Sequence, residues 1–148
     1  MYHSNRETIH TSGGWPEEKG ESMGKEKPWN EIYAVDFDGT LNIADKYPQL
    51  GEPNRKLFQF LIKRQQEGDK IILWTCREGD YLKSAVKFCM KYGLKFDAIN
   101  NNLPENIEKF NNNCRKVFAD YYIDDKNRFL VKKKRKRILN ILRKYKKD

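Results

Sequence analysis

The 148-residue chain has no apolar run approaching the ~18 residues that cross a bilayer, so no transmembrane helix is expected. Residues 1–30 contain no apolar run of any kind, which argues against a secretory signal peptide. Cysteine is scarce. Cys76, Cys89 and Cys114 cannot all pair within one chain and have no Cys-x-x-Cys spacing, so a disulfide framework is excluded and a reducing, cytoplasmic setting is expected. Histidine is scarcer still: His3 and His10 both lie near the N-terminus, and no histidine cluster is available to bind zinc. Apolar residues make up 38% of the chain against 34% charged, with mean hydropathy −0.94. So polar a chain keeps part of its length out of any core, and its size allows one domain. No internal repeat is visible.

The net charge of +9 is unevenly spread. Residues 1–127 carry 19 Lys/Arg against 20 Asp/Glu, whereas residues 128–148 carry 11 Lys/Arg and a single acid, Asp148. Basicity therefore belongs to a C-terminal appendage and not to the body. Three regions follow: a flexible arm over residues 1–30, a domain over 31–127, and a basic tail over 128–148. In the tail, Ile138, Leu139, Ile141, Leu142 and Tyr145 recur at helical spacing behind a run of lysines and arginines. Such a helix is a solvated terminal element, a nucleic-acid contact through its charged face, or an address signal or membrane-surface contact.

Within the body, short apolar runs alternate with helical patterns. Ile32 to Val35 stops abruptly at Asp36, as a strand buried on both faces does. Pro53 to Glu67 reads as a helix with Pro53 in an early turn, a stripe of Leu57, Phe58, Leu61 and Ile62, and Gly68 as terminator. Ile71 to Trp74 is a second strand. Asp80 to Tyr92 is a second helix with Leu82, Val86, Cys89 and Met90 facing inward and Gly93 beyond its end. Phe96 to Ile99 makes a short third strand and Tyr121 to Ile123 a fourth. Between these two lies an asparagine-rich connection in which Pro104 to Phe110 has the makings of a short helix. This alternation predicts an α/β fold, doubly wound and Rossmann-like, around a parallel sheet.

In such sheets ligands bind beyond the carboxyl ends of the strands. Asp36 and Asp38, then Thr75, then Asp124 and Asp125 fall at three of those ends. Carboxylates gathered on one edge repel each other unless a cation joins them, and oxygen-only donors favour Mg²⁺ over zinc. Turn punctuation alone explains an isolated Asp-x-Asp-Gly. It does not explain a set repeated at three strand ends. A calcium loop of the EF-hand type fails, because Gly39 stands fourth in the run and Thr40 occupies the fifth position.

Asp36-Phe37-Asp38-Gly39-Thr40-Leu41 resembles the first motif of the haloacid dehalogenase (HAD) superfamily of phosphotransferases. Ile72-Leu73-Trp74-Thr75 resembles its second motif, and Tyr122-Ile123-Asp124-Asp125 its fourth. The resemblance covers roughly residues 31–127. It implies a phosphatase, a phosphoric monoester hydrolase in which Asp36 attacks phosphorus and becomes an aspartyl-phosphate. It also implies that Asp38 acts as general acid and then base, while Thr75 holds a phosphoryl oxygen. Mg²⁺ would be held by the Asp36 carboxylate, the Asp38 backbone carbonyl and the Asp124 side chain, with Asp125 orienting its waters. The third motif is a lysine. Lys116 lies in Arg115-Lys116-Val117-Phe118-Ala119-Asp120, similar to a stretch of some small members with Val117 in place of proline, and Lys126 is the alternative. As part of a straight strand Lys116 would stand ~26 Å from the site, so residues 116–120 must double back for it to serve.

Arg77, two residues after Thr75, is expected at the rim, bound to substrate phosphate or to a surface acid. Cys76 as a thiol nucleophile is disfavoured, because Leu82 stands where a Cys-x5-Arg phosphate loop needs arginine. Only 29 residues lie between Leu41 and Ile71, and 40 between Thr75 and Lys116. Neither interval holds the cap domain that family members usually insert. A capless, open site is implied, suited to macromolecular substrates or to a neighbouring subunit acting as lid, although small capless members acting on sugar phosphates also exist. More distantly, the domain resembles the phosphatase half of polynucleotide kinase-phosphatases, which makes a nucleic-acid phosphate ester the sharper substrate expectation. The rival reading is a nucleic-acid-binding module with a vestigial site.

Overall fold

The structure is a computed structural model that describes residues 29–129. Nearly all of the expected arm and basic tail, including the tail's helix and its nucleic-acid contact, lie outside the described residues.

The first strand, β1, runs Ile32–Val35, and its four residues are all buried. A two-stranded antiparallel hairpin follows, β2 (Asn42–Ile43) and β3 (Glu52–Pro53). The helix α1 spans Arg55–Gln66, β4 spans Lys70–Leu73, and α2 spans Gly79–Lys91. Then come β5 (Ala98–Ile99), α3 (Pro104–Phe110) and β6 (Tyr121–Ile123). Strands β5, β4, β1 and β6 form one sheet in that order, all parallel. The chain steps outward from β1 through β4 to β5, then returns to the other side of β1 as β6. The direction of winding therefore changes between β1 and β6, where an open parallel sheet has its crevice.

Strand alternation sorts the core into two layers. Tyr33, Val35, Ile71 and Leu73 face one side, where Phe58 and Leu61 of α1 and Ala85, Phe88 and Cys89 of α2 cover them. Ile32, Ala34 and Ile72 face the other, beneath Leu103 and Val117 of the segment that carries α3. No residue of α3 itself is buried. That face is closed by the chain on either side of the helix, pinned by the buried Asn102. Its amide donates to Asn113 Oδ1 and to the Cys114 carbonyl at 3.0 Å each, and its Oδ1 accepts from the Phe118 N–H at 2.6 Å.

Three local expectations change. Pro53 belongs to β3 and not to the first turn of α1, whose N-cap is Asn54, with its side chain accepting from the Leu57 N–H at 3.3 Å. Of the expected stripe on α2, Leu82, Val86 and Cys89 pack on the core beside Ala85 and Phe88, and Met90 alone is exposed. The third strand keeps only Ala98 and Ile99, and Asn100 ends it with φ +49°. The β2–β3 hairpin was not foreseen.

Candidate functional site

Beyond Val35 the chain makes a tight loop in which the N–H groups of Thr40, Leu41 and Asn42 all bond the Phe37 carbonyl, at 2.9–3.2 Å. The Asp36 N–H donates to the Ile123 carbonyl at 2.9 Å, extending the β1–β6 ladder by one step and setting Asp36 beside the end of β6. There the two strand ends meet. One carboxylate oxygen from each of Asp36, Asp124 and Asp125 lies within 4.8 Å of the others. Three hard oxygen donors at this spacing could hold a divalent cation.

Thr40 ties the cluster together. Its buried hydroxyl donates to Asp36 Oδ2 at 2.9 Å and accepts the Asp125 N–H at 3.1 Å, across 85 residues of chain. Burial first, and then the negative charge of Asp124, push the Asp36 carboxyl up from 3.8 to about 6, with the Thr40 hydrogen bond pulling the other way. Gly39 is required by the same packing. It sits at φ +79°, and a Cβ there would lie 2.4 Å from Asp125 Oδ2.

The Asp38 carboxylate is not one of the three in the cluster. It turns to Arg77, which donates from Nε to Oδ2 at 2.8 Å and from Nη2 to Oδ1 at 2.7 Å, a bidentate pair. Arg77 is not at the rim: it is 1% exposed, whereas the Asp38 side chain is 32% exposed. The guanidinium also donates to the carbonyls of Pro48 at 2.9 Å and Tyr81 at 3.3 Å, and lies over the rings of Phe37 and Tyr47. With those bonds made it is a clamp on Asp38 and the neighbouring loop, not a free anion binder.

Thr75 follows β4 as expected. Asn100 Oδ1 accepts its N–H at 2.8 Å, and its own hydroxyl oxygen accepts the Arg77 N–H at 3.1 Å. Among the described residues the Thr75 hydroxyl proton has no acceptor. Residues 116–120 are irregular, with Val117 buried and Lys116 exposed. The Lys116 ammonium lies 5.8 Å from the Tyr122 ring centroid. By strand alternation Tyr122, Asp124 and Asp36 share one face of the sheet, so Lys116 is on the cluster's side. It makes no ion pair among the described residues. Lys126 is exposed, and its N–H caps Asp124 Oδ1 at 2.9 Å.

Sequence reasoning missed two contributors: Asn100 holds Thr75, and Thr40 bridges the two strand ends. Asp125, expected to orient the metal's waters, brings a carboxylate oxygen into the cluster with Asp36 and Asp124. The Asp-Gly-Thr run offered a signal for Thr40. Nothing local marked Asn100, whose partner is 25 residues away.

Fold and site together define a parallel α/β protein with a carboxylate cluster at the point where its sheet reverses direction. No protein-family model matches the chain, and no curated protein does. A solved structure described as that of a conserved protein coded by a locus from Bacteroides thetaiotaomicron is similar, with 35% identity, a TM-score of 0.59, and coverage of 78% of this chain and 92% of that one. The chain belongs to the family of that conserved protein. No helix among the described residues is long and apolar enough to cross a membrane.

Proposed function

We propose that the protein is a Mg²⁺-dependent phosphate monoester hydrolase with a HAD-like, capless architecture. The observation that carries this reading is the meeting of Asp36, Asp124 and Asp125 at the switch point of the sheet. Raised by burial and by Asp124, the Asp36 carboxyl is a group whose charge a bound dication would favour. Held by the Asp36, Asp124 and Asp125 carboxylates, Mg²⁺ would supply positive charge to offset repulsion between the attacking carboxylate and the phosphate.

The remaining steps belong to the chain. An Asp36 oxygen forms a bond to phosphorus as the ester oxygen leaves, and Asp38 gives that oxygen its proton. Water then attacks phosphorus, Asp38 takes its proton, and the bond from phosphorus to Asp36 breaks to release phosphate. Arg77 occupies one lone-pair direction on each Asp38 oxygen, and a carboxylate has others to use. Thr75 offers its hydroxyl to a phosphoryl oxygen, and Lys116 approaches from the cluster's face of the sheet.

An aryl phosphate assay with and without Mg²⁺ tests the reading. Hydrolysis should require the metal, and Asp38→Asn should slow it ~10²–10⁴-fold, the usual worth of a placed acid–base group. Unchanged turnover in Asp36→Asn would end the covalent mechanism.

A further inference from the structure

A general acid protonates a leaving oxygen only when it meets that oxygen at hydrogen-bond distance and in one orientation. The Asp38 side chain is 32% exposed, and a carboxylate so placed would ordinarily sample several rotamers in water. Here it is held. Arg77 engages both oxygens at once, and a planar fork fixes the plane of a carboxylate as well as its distance.

The fork is itself fixed. Four of its five N–H donors are used, two on Asp38 and one each on the carbonyls of Pro48 and Tyr81. The guanidinium lies 4.8 Å from the centroid of the buried Phe37 ring and 5.3 Å from that of Tyr47. Packing alone gives no reason for a charge here, because apolar side chains of like volume often replace a buried ion pair at no loss of stability.

The backbone of Arg77 completes a second link. Its N–H occupies an acceptor site of the Thr75 hydroxyl at 3.1 Å, so the hydroxyl proton must point elsewhere. Asn100 straddles the same turn, accepting the Thr75 N–H at 2.8 Å and reaching the Arg77 carbonyl at 3.5 Å. One residue therefore ties the turn after β4 to the loop after β1 and to the connection between β2 and β3.

We infer that Arg77 is a positioning residue for the proposed reaction: its side chain aims Asp38 at the leaving oxygen, and its backbone keeps Asp38 in register with the Thr75 hydroxyl. This rests on the phosphatase reading and deepens it, because a buried residue that touches no substrate then holds two reacting groups in one frame. Lysine is no substitute, since an ammonium sets distance but not plane.

Two aryl esters separate this role from a structural one. Phenyl phosphate releases an alcohol of pKa about 10, which needs the acid, whereas 2,4-dinitrophenyl phosphate releases a far stronger acid that departs without a proton. In the full-length protein with Mg²⁺, Arg77→Lys should lower kcat/KM on phenyl phosphate about 10²-fold, the cost of a reacting group misplaced by ~1 Å. On the dinitrophenyl ester kcat/KM should fall far less. Turnover, kcat, should fall on both, because water attack needs Asp38 as base whichever alcohol has left. Added to Asp38→Asn, Arg77→Lys should cost little more on phenyl phosphate, since residues that act through one group are not additive. Tyr47→Leu, at an exposed ring, keeps the arginine but loosens its seat. It should show the same ester selectivity at about 2–5-fold, which keeps the test open even if Arg77→Lys fails to fold. Unchanged or equally lowered kcat/KM on the two esters, or a full further loss in the Asp38→Asn background, overturns the inference while the phosphatase reading stands. Failure to hydrolyse either ester removes both.

Discussion

The two ends of the central sheet are both lined with aspartates, and they use them in opposite ways. At the end where the strands begin, each acid accepts a backbone N–H at 2.8 Å from a distant element: Asp69 from Glu31, Asp97 from Ile71 and Asp120 from Ile32. Asp69 also takes the Arg64 Nε at 2.6 Å. These carboxylates close the ladder where it lacks carbonyl partners. At the end where the strands finish, Asp36, Asp124 and Asp125 face one another. Their donors are the Thr40 hydroxyl and N–H groups of their own turns, and no lysine or arginine among the described residues pairs with them. Residue type is the same at both ends. What differs is whether the fold satisfies the charge or leaves it for something else.

Exchanging an acid at each end breaks this comparison most severely. Asp36→Asn should abolish Mg²⁺-dependent hydrolysis by several orders of magnitude, as loss of a nucleophile does, yet slightly raise the melting temperature of the metal-free protein by relieving repulsion. Asp69→Ala should do the converse. It removes the acceptor of the Glu31 N–H and of Arg64 Nε, leaving Arg64 its pair with Glu67, and costs about 1–3 kcal/mol in urea unfolding, with Mg²⁺ affinity unchanged. Both substitutions having the same effect on stability would erase the distinction.

Gly39→Ala has a smaller expected effect and probes geometry. Its Cβ collides with Asp125 while its backbone remains at positive φ, so stability should fall by about 1–3 kcal/mol. Mg²⁺ affinity, read by calorimetric titration, should fall ~10–100-fold as a displaced partner implies. Smallest is the pH effect. Because the folded Asp36 carboxyl rises from 3.8 to about 6, the native state keeps a proton that the unfolded chain releases between those values. Stability of the metal-free protein should therefore decline as pH rises from about 4 to about 6, a slope that Asp36→Asn flattens. Mg²⁺ affinity should strengthen over the same range, since that proton must leave first.

The same contrast explains what the sequence made legible. Ile32 to Val35 ending at Asp36 announces a strand that stops at an acid, because burial on both faces leaves no place for a polar residue before the end, and the half-buried Tyr121 to Ile123 shows the same apolar run ending at Asp124. Pro104 to Phe110 is visible from its proline alone. The role of Arg77 was not, since a charged residue two positions past a strand end reads as a rim group unless its carboxylate partner, 39 residues earlier, is known to lie beneath the same loop. Nor was the β2–β3 hairpin. Two-residue strands carry no period, and this pair is held by the Asn42 side chain more than by pattern. Asp69, Asp97 and Asp120 gave no hint that they were caps, because each partner is 26 to 88 residues away.

The Thr40–Asp125 link gives the domain an order of assembly. It spans 85 residues, and β6, which delivers Asp124 and Asp125, pairs over only three residues with β1 at the margin of the sheet. Closing so long a loop costs entropy that β1, β4 and the two large helices do not share, because they meet through shorter connections. A nascent chain can thus gather its first core layer while the carboxylate cluster is still missing two of its three members. In the finished domain the same strand is the one whose brief detachment dismantles the cluster while the first layer stays packed, so amide exchange at Tyr121 to Ile123 should keep time with the opening and closing of the site.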